Sequence, residues 1–215
     1  LKELKILIAC EESQTVCKAF RELGFIAYSC DLVDCSGGHP EWHIKGDAIK
    51  EAYTGKYDLM VAHPPCTFLS VSGARWLYNK DGSRNKDRFT KQKEALDFVR
   101  LLMNAPIKRI AIENPVSVIS SQIRKPDQII NPYQFGSDAS KKTCLWLKGL
   151  PILKHTKYVE PRIVDGKKRW GNQMDNGQNV TLNEKGKVCG WNTEEIKRIR
   201  SKTYPGIAKA MADQW

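Results

Sequence analysis

Five residues, Asp58-Leu-Met-Val-Ala62, run straight into His63-Pro64-Pro65-Cys66, and this junction restricts the fold more than any other stretch. The apolar run has the length and composition of a buried strand. Two consecutive prolines lack ladder donors and prevent an immediate helix, so the strand must end abruptly and present Cys66 at its carboxyl end. In an open α/β sheet that edge is where ligands bind. A thiol held there by stiff backbone is a candidate nucleophile, because the thiolate is reactive and a turn or helix start lowers its pKa. Buried structural cysteines are the commoner kind, so the assignment depends on whether neighbouring segments build one site.

The segments before the junction supply a suitable sheet. Lys5-Ile-Leu-Ile-Ala-Cys10 predicts a parallel core strand, followed by Glu11-Glu12-Ser13 and a helix with Val16, Phe20 and Leu23 on one face and Gly24 as its stop. Ser13 is the expected N-cap. A second strand, Phe25 to Cys30, ends on Asp31, and a third short segment ends at Gly46-Asp47-Ala48. Strand, turn, helix, strand and acid is the order of a mononucleotide-binding unit, in which the first turn holds the charged end of a ligand and the later acid takes ribose hydroxyls. The turn from Ala9 to Gln14 contains no glycine and carries two carboxylates. It is closed to a pyrophosphate and suits a cationic ligand such as S-adenosylmethionine. The competing reading makes Glu11 and Glu12 partners of the helix dipole, and Asp31 and Asp47 ordinary loop acids.

Charge divides the chain. Residues 1–60 hold 7 basic and 10 acidic side chains, residues 61–130 hold 12 and 6, and residues 131–215 hold 16 and 8, for a net +11. An acidic first third and a basic remainder predict a small-molecule half and a polyanion-facing half. Arg75, Arg84 and Arg88 lie in a long basic loop after Cys66, with a helical pattern starting only at about Thr90. Lys167, Lys168, Arg169 and Trp170 follow an Asp165-Gly166 turn in a predicted hairpin, and Thr181 to Cys189 predicts a second. Charge beside an aromatic face suits DNA, although a solvated surface explains both stretches equally well. Thr193 to Arg200 and Ile207 to Trp215 predict closing helices.

Lys108-Arg-Ile-Ala-Ile112 is a further core strand, ending in Glu113-Asn114-Pro115. It brings a carboxylate to the same sheet edge as Cys66. A thiol beside an acid is the equipment for nucleophilic addition to a pyrimidine: attack at C6 raises electron density at C5, and a proton at N3 stabilises the adduct.

In this order the residues resemble the cytosine-5 DNA methyltransferases, over most of the chain. Pro64-Pro65-Cys66 is similar to that family's Pro-Cys nucleophile motif, and Glu113-Asn114-Pro115 to its Glu-Asn-Val motif, whose glutamate contacts the flipped cytosine. The resemblance implies a class I methyltransferase fold, a mostly parallel sheet with helices on both faces and a small β-hairpin insertion. It implies Cys66 and Glu113 as catalytic residues, with Lys142, after Tyr133-Gln-Phe-Gly136, nearest to a base-contacting arginine. S-adenosylmethionine would be held by Cys10, Glu11, Glu12, Ser13, Asp31, Asp47 and Pro64, and by Ile207 in Tyr204-Pro-Gly-Ile-Ala208, which resembles the closing Gly-Asn-Ala motif. The chain departs from the pattern where Cys10-Glu11-Glu12-Ser13 replaces a Phe-x-Gly-x-Gly turn, where lysine replaces arginine, and at Ile207. In these respects it resembles compact, divergent phage relatives.

The expected organisation is a catalytic and cofactor-binding domain over 1–150, a DNA-recognition region over 151–192, and closing helices over 193–215. Double-stranded DNA is the expected partner. Seven cysteines without a Cys-x-x-Cys spacing point to free thiols in a reducing, cytoplasmic setting, and His39 and His43 near Cys35 fit no common zinc spacing. Two other functions remain open: a C5-modifying enzyme with another one-carbon donor or a nucleotide acceptor, and a non-catalytic DNA-binding protein on a methyltransferase fold.

Overall fold

The computed structural model describes residues 4–182, 188–189 and 194–215. The tip of the second expected hairpin and the expected helix start at Thr193 fall outside the described residues, although Leu182 and Val188 form an antiparallel bridge.

Seven strands form one sheet: β1 (Lys5–Ala9), β2 (Ile26–Asp31), β3 (His43–Lys45), β4 (Leu59–Ala62), β5 (Arg109–Pro115), β6 (Gln128–Ile130) and β7 (Thr143–Lys148). Their order is β3-β2-β1-β4-β5-β7-β6, parallel from β3 to β5, with β7 antiparallel to both of its neighbours. The strand order reverses between β1 and β4, which opens a ligand crevice at their carboxyl ends. A separate antiparallel ribbon joins β8 (Arg162–Val164) to β9 (Lys167–Arg169) through the predicted Asp-Gly turn, with Asp165 and Gly166 both at positive φ.

Helices cover both faces because the central strands are apolar on both. Ile6, Ile8, Leu59, Val61 and Ala111 face α1 (Thr15–Glu22) and α6 (Pro205–Gln214), where Val16, Phe20, Ile207 and Met211 are buried. Leu7, Met60, Ala62, Ile110 and Ile112 face α2 (Ala48–Ala52), α3 (Lys86–Met103) and α4 (Ile119–Gln122), where Ala52, Leu96, Val99, Leu102 and Ile119 are buried. The alternation follows from the period of two along each strand. A further helix, α5 (Glu194–Ser201), precedes α6.

Two local expectations are corrected. Ser13 does not cap α1: the helix is entered through Gln14 at φ 58, and the buried Glu11 carboxylate accepts from the amides of Val16 and Cys17 at 2.7 and 3.1 Å. A carboxyl group aimed at the helix start engages two of its free amides at once, which the Ser13 hydroxyl cannot do. Helix α3 begins at Lys86, not Thr90, because the Asn85 side chain accepts from the Arg88 amide at 3.2 Å and caps a polar first turn that carries no hydrophobic signal.

Candidate active site

In the β4–β5 ladder Ala62 stands opposite Ile112, so the next residues, His63 and Glu113, emerge side by side. His63 Nδ1 lies 2.9 Å from Glu113 Oε2, with the two side chains only 9% and 14% exposed. The His63 amide donates to Ala9 O at 2.9 Å, and the Asn114 side-chain amide donates to Pro64 O at 2.8 Å. These bonds tie the double-proline turn to the strands on either side. Cys66 stands exposed at the rim of this edge, and its carbonyl accepts from the Leu69 and Ser70 amides at 3.0 and 2.9 Å. The turn after it is held from α3, where Arg88 donates to Thr67 O at 3.2 Å and Gln92 to Phe68 O at 3.1 Å.

Charges at this edge are coupled. Burial opposes the charged form of His63, but the hydrogen bond and charge of Glu113, joined by Glu11, outweigh it and hold the imidazole pKa above its ordinary value. Burial likewise opposes ionisation of Glu113, yet His63 and then Lys141 prevail and keep the carboxyl below its usual range. Each member of the pair favours the charged form of the other. Burial pushes the Cys66 thiol up, Lys141 pulls against it and Glu113 reinforces it, for a net rise. Cys66 is therefore a protonated thiol at neutral pH until something draws off its proton.

A small cleft beside Glu113 is lined by Lys141, Thr143, Tyr204 and Ile207. Lys141 Nζ donates to Arg200 O at 2.8 Å, which anchors it between the start of β7 and the end of α5. The cation whose charge reaches Cys66, His63 and Glu113 is thus Lys141, and not Lys142, which is exposed and whose charge is felt at Cys144. The strand period of two would have shown this, since Lys141 shares a side with Thr143. His63 also belongs to this edge: it stands inside the motif, but only the β4–β5 register brings it beside Glu113.

No family model matches the sequence, and no curated protein matches it. Solved structures do. The Entamoeba histolytica methyltransferase EhMeth matches with a TM-score of 0.50 and 18% identity, over 74% of this chain and 59% of that one. The fold is that of the class I methyltransferases. A Schizosaccharomyces pombe Dnmt2 methyltransferase (TM-score 0.47, 15% identity, 70% of this chain and 51% of that one) and a Spodoptera frugiperda DNMT2 mutant (0.42, 14%, 77% and 57%) are also similar. The chain spans roughly half to three-fifths of the length of these structures.

In this methyltransferase fold the acids of the first third gather at the ends of β1 to β3. Burial, followed by the charges of Asp31, Cys30 and Asp47, raises the Cys10 thiol pKa, and burial with Glu51, Asp31 and Asp47 raises that of Cys30 to about 12. Asp31 accepts from the Val33 amide at 3.3 Å, and Asp47 caps α2 through Ile49 at 2.8 Å. Cys10 and Gln14 hold positive φ without glycine, so the turn keeps a strained geometry with side chains present. Both oxygens of Glu11 are spent on α1, whereas Glu12 Oε1 is buried with no hydrogen-bond partner among the described residues and has Arg198 Nε at 3.7 Å. Ser13 bonds Thr15 locally, Pro64 is buried beneath the turn, and Ile207 is buried under the cleft.

Of the basic residues singled out, Arg75 and Arg84 are exposed beside Trp76 and Phe89, Lys167 and Lys168 are exposed on β9, and Arg88 and Arg169 are engaged internally. Trp170 corrects the idea of a stacking face for bases: it is 9% exposed, stacked on Tyr133 at 4.1 Å, and donates to Val159 O. It anchors the ribbon to the body of the protein. No helix of the described residues is long and apolar enough to cross a membrane.

Proposed function

We propose that the protein is a DNA cytosine-5 methyltransferase that uses S-adenosylmethionine. The observation that carries this reading is an exposed thiol, Cys66, in the turn after β4, near enough to feel the charge of Glu113, a cleft-lining carboxylate on the adjacent parallel strand β5. Their target is a flipped base, because neither C6 nor the departing C5 proton can be reached within a stacked duplex.

In this reading the Cys66 proton leaves to solvent at the rim, the sulfur bonds to C6, and the electron pair of the C5–C6 double bond moves to C5 and the N3–O2 system. Glu113 holds the N3 and N4 edge and delivers a proton to N3, and Lys141 stabilises the developing negative charge. S-adenosylmethionine, when bound, supplies an electrophilic methyl group for C5. Loss of the C5 proton to solvent water then expels the sulfur as a thiolate and restores the double bond. The acid-rich cofactor side suits a cationic ligand: both Glu11 oxygens are taken by the α1 amides, and the Glu12 carboxylate, whose Oε1 has Arg198 Nε at 3.7 Å, would accept from an ammonium group. Cys10, Asp31 and Asp47 would hold the nucleoside part. Residues 151–192 are assigned to DNA recognition, with Lys167 and Lys168 on the backbone.

The test is nucleoside mass spectrometry of duplex DNA incubated with the protein and S-adenosylmethionine. The expected product is 5-methylcytosine, lost in Cys66→Ala; a larger added group would replace the donor, and unmodified DNA from folded, cofactor-loaded protein would end the proposal.

A further inference from the structure

The loop that leaves Cys66 is braced by its own backbone, yet it holds large aromatic side chains in water. The Leu69 and Ser70 amides return to Cys66 O, the Val71 amide donates to Val116 O at 3.3 Å, the Val118 amide to Leu69 O at 2.9 Å, and the Asn85 amide to Leu77 O at 2.9 Å. Within this frame Trp76 is 55% exposed and Tyr78 52%. Aromatic rings bring more burial energy than most side chains, so two of them left outside the core on one short, ordered loop form a contact surface in want of a partner. Arg75 lies over the Trp76 ring at 4.5 Å, Tyr78 meets Phe89 edge-on at 5.9 Å, and Arg84 lies over Phe89 at 5.3 Å. Rings and guanidinium groups thus stand together along the loop.

The surrounding charge indicates the partner. Residues 75–93 carry seven lysines and arginines against two aspartates. Among the described residues only Lys91 of the seven is paired with a carboxylate, that of Asp87. Free cations beside exposed ring faces match a chain of phosphates and bases. A duplex hides its base faces in the stack and offers edges and phosphates, so an exposed ring has nothing there to stack on, whereas a single strand presents the faces themselves. Trp170, the aromatic of the other basic stretch, is already stacked on Tyr133 and buried. Resting on the proposed reaction for the identity of the polymer, we infer that the loop from Val71 to Arg84 is a binding site for unpaired bases: Trp76, backed by Arg75, stacks on a base near the target, and the protein favours cytosine in single-stranded or opened DNA over cytosine in intact duplex. An unpaired cytosine reaches Cys66 without the cost of unstacking. That saving suits a chain whose recognition ribbon has strands of only 3 residues each.

Fluorescence anisotropy of labelled oligonucleotides tests the site without the reaction, at elevated salt, where phosphate pairing contributes least. The ligands are a single strand, the duplex of the same sequence, and a strand with the same sugar-phosphate backbone but no bases. The parent protein is expected to bind the single strand more tightly than either. Trp76→Ala should weaken single-strand binding by about tenfold, the scale of one base–aromatic stack, and hardly change binding of the base-free strand. It should also leave the salt slope unaltered, since stacking releases no condensed counterion. Trp76→Phe, which keeps a ring, should recover most of the loss; an equal urea midpoint for the three proteins excludes a folding defect. Equal losses on strands with and without bases, or a parent protein that prefers the duplex, would overturn the inference. The proposed reaction fails separately. No 5-methylcytosine on either form of DNA, with Trp76-dependent binding intact, would remove the reaction and leave the loop site standing, whereas methylation with single-strand binding unchanged in Trp76→Ala would remove the loop site alone.

Discussion

A thiol that must act as a nucleophile, but rests with a raised pKa, needs a cation nearby, and position 141 supplies it. Partial burial and the Glu113 carboxylate hold the Cys66 proton on, while Lys141 draws it off. Removing that cation takes away the main stabiliser of the thiolate, so the thiol pKa must rise further. Lys141→Met should therefore slow alkylation of Cys66 by iodoacetamide at a fixed pH near 8, by several-fold to tenfold, and move the midpoint of the pH–rate curve upward. The unsubstituted protein should itself show a midpoint above the ordinary thiol value of 9.0. Peptide mass mapping separates Cys66 from the six other cysteines, of which Cys17, Cys30 and Cys144 are buried. Lys142→Met, exposed and coupled to Cys144, should leave the Cys66 curve in place. Equal effects of the two lysine substitutions would show that the anchoring of Lys141 on Arg200 O does not matter to the sulfur.

Among the elements, the start of α6 is the most closely fitted. Tyr204 precedes it, Pro205 occupies its first turn, and Gly206 lies so close to the Phe135 carbonyl that a Cβ there would overlap the oxygen. No side-chain rotamer relieves such a clash, because the opposing atom is backbone. Gly206→Ala should cost about 1–3 kcal/mol, the range for overpacking a tight contact, seen as a lower urea midpoint with an unchanged slope. A stability equal to the parent's would mean that α6 is free to shift against Phe135. This closeness explains which parts of the fold the sequence disclosed. The strands from Lys5, Phe25, Asp58 and Lys108 were legible as apolar runs, and the helices over Thr193–Arg200 and Ile207–Trp215 were legible in outline, since burial on two faces leaves a hydrophobic signature. The start of α3 and the cap of α1 were not, because each depends on one polar side chain, Asn85 or Glu11, whose partner is settled only when the chain folds back on itself. The short β6 and α2 were equally silent, being 3 and 5 residues long. Within the site, Cys66 and Glu113 could be placed on one edge from the ends of two strands, whereas the contact of His63 with Glu113 required the β4–β5 register.

At the scale of the whole molecule, the net charge of +11 need not mean that every basic residue meets DNA, and the structure sorts them. Arg88 holds Thr67 O and lies over Phe68, and Arg169 donates to Asp175 O and to Lys168 O, so their guanidinium groups already have partners within the chain. Arg75, Arg84, Lys167 and Lys168 are exposed and remain the better candidates for phosphate. Each phosphate neutralised adds about 0.9 to the slope of log affinity against log salt, through release of a condensed counterion. If the four side chains each pair with one phosphate, the double variant Arg75→Ala/Arg84→Ala should lower the slope by about 2, and Lys167→Ala/Lys168→Ala by a similar amount, independently of sequence. Fluorescence anisotropy of a labelled duplex over a range of salt concentrations measures this. A drop confined to the first pair would place the DNA on the loop after Cys66 and leave the ribbon as solvated surface. A slope untouched by either pair would show that these four side chains serve solubility, and would move the search for phosphate contacts to other cations, beginning with Lys141 and Lys202, which line the cleft itself.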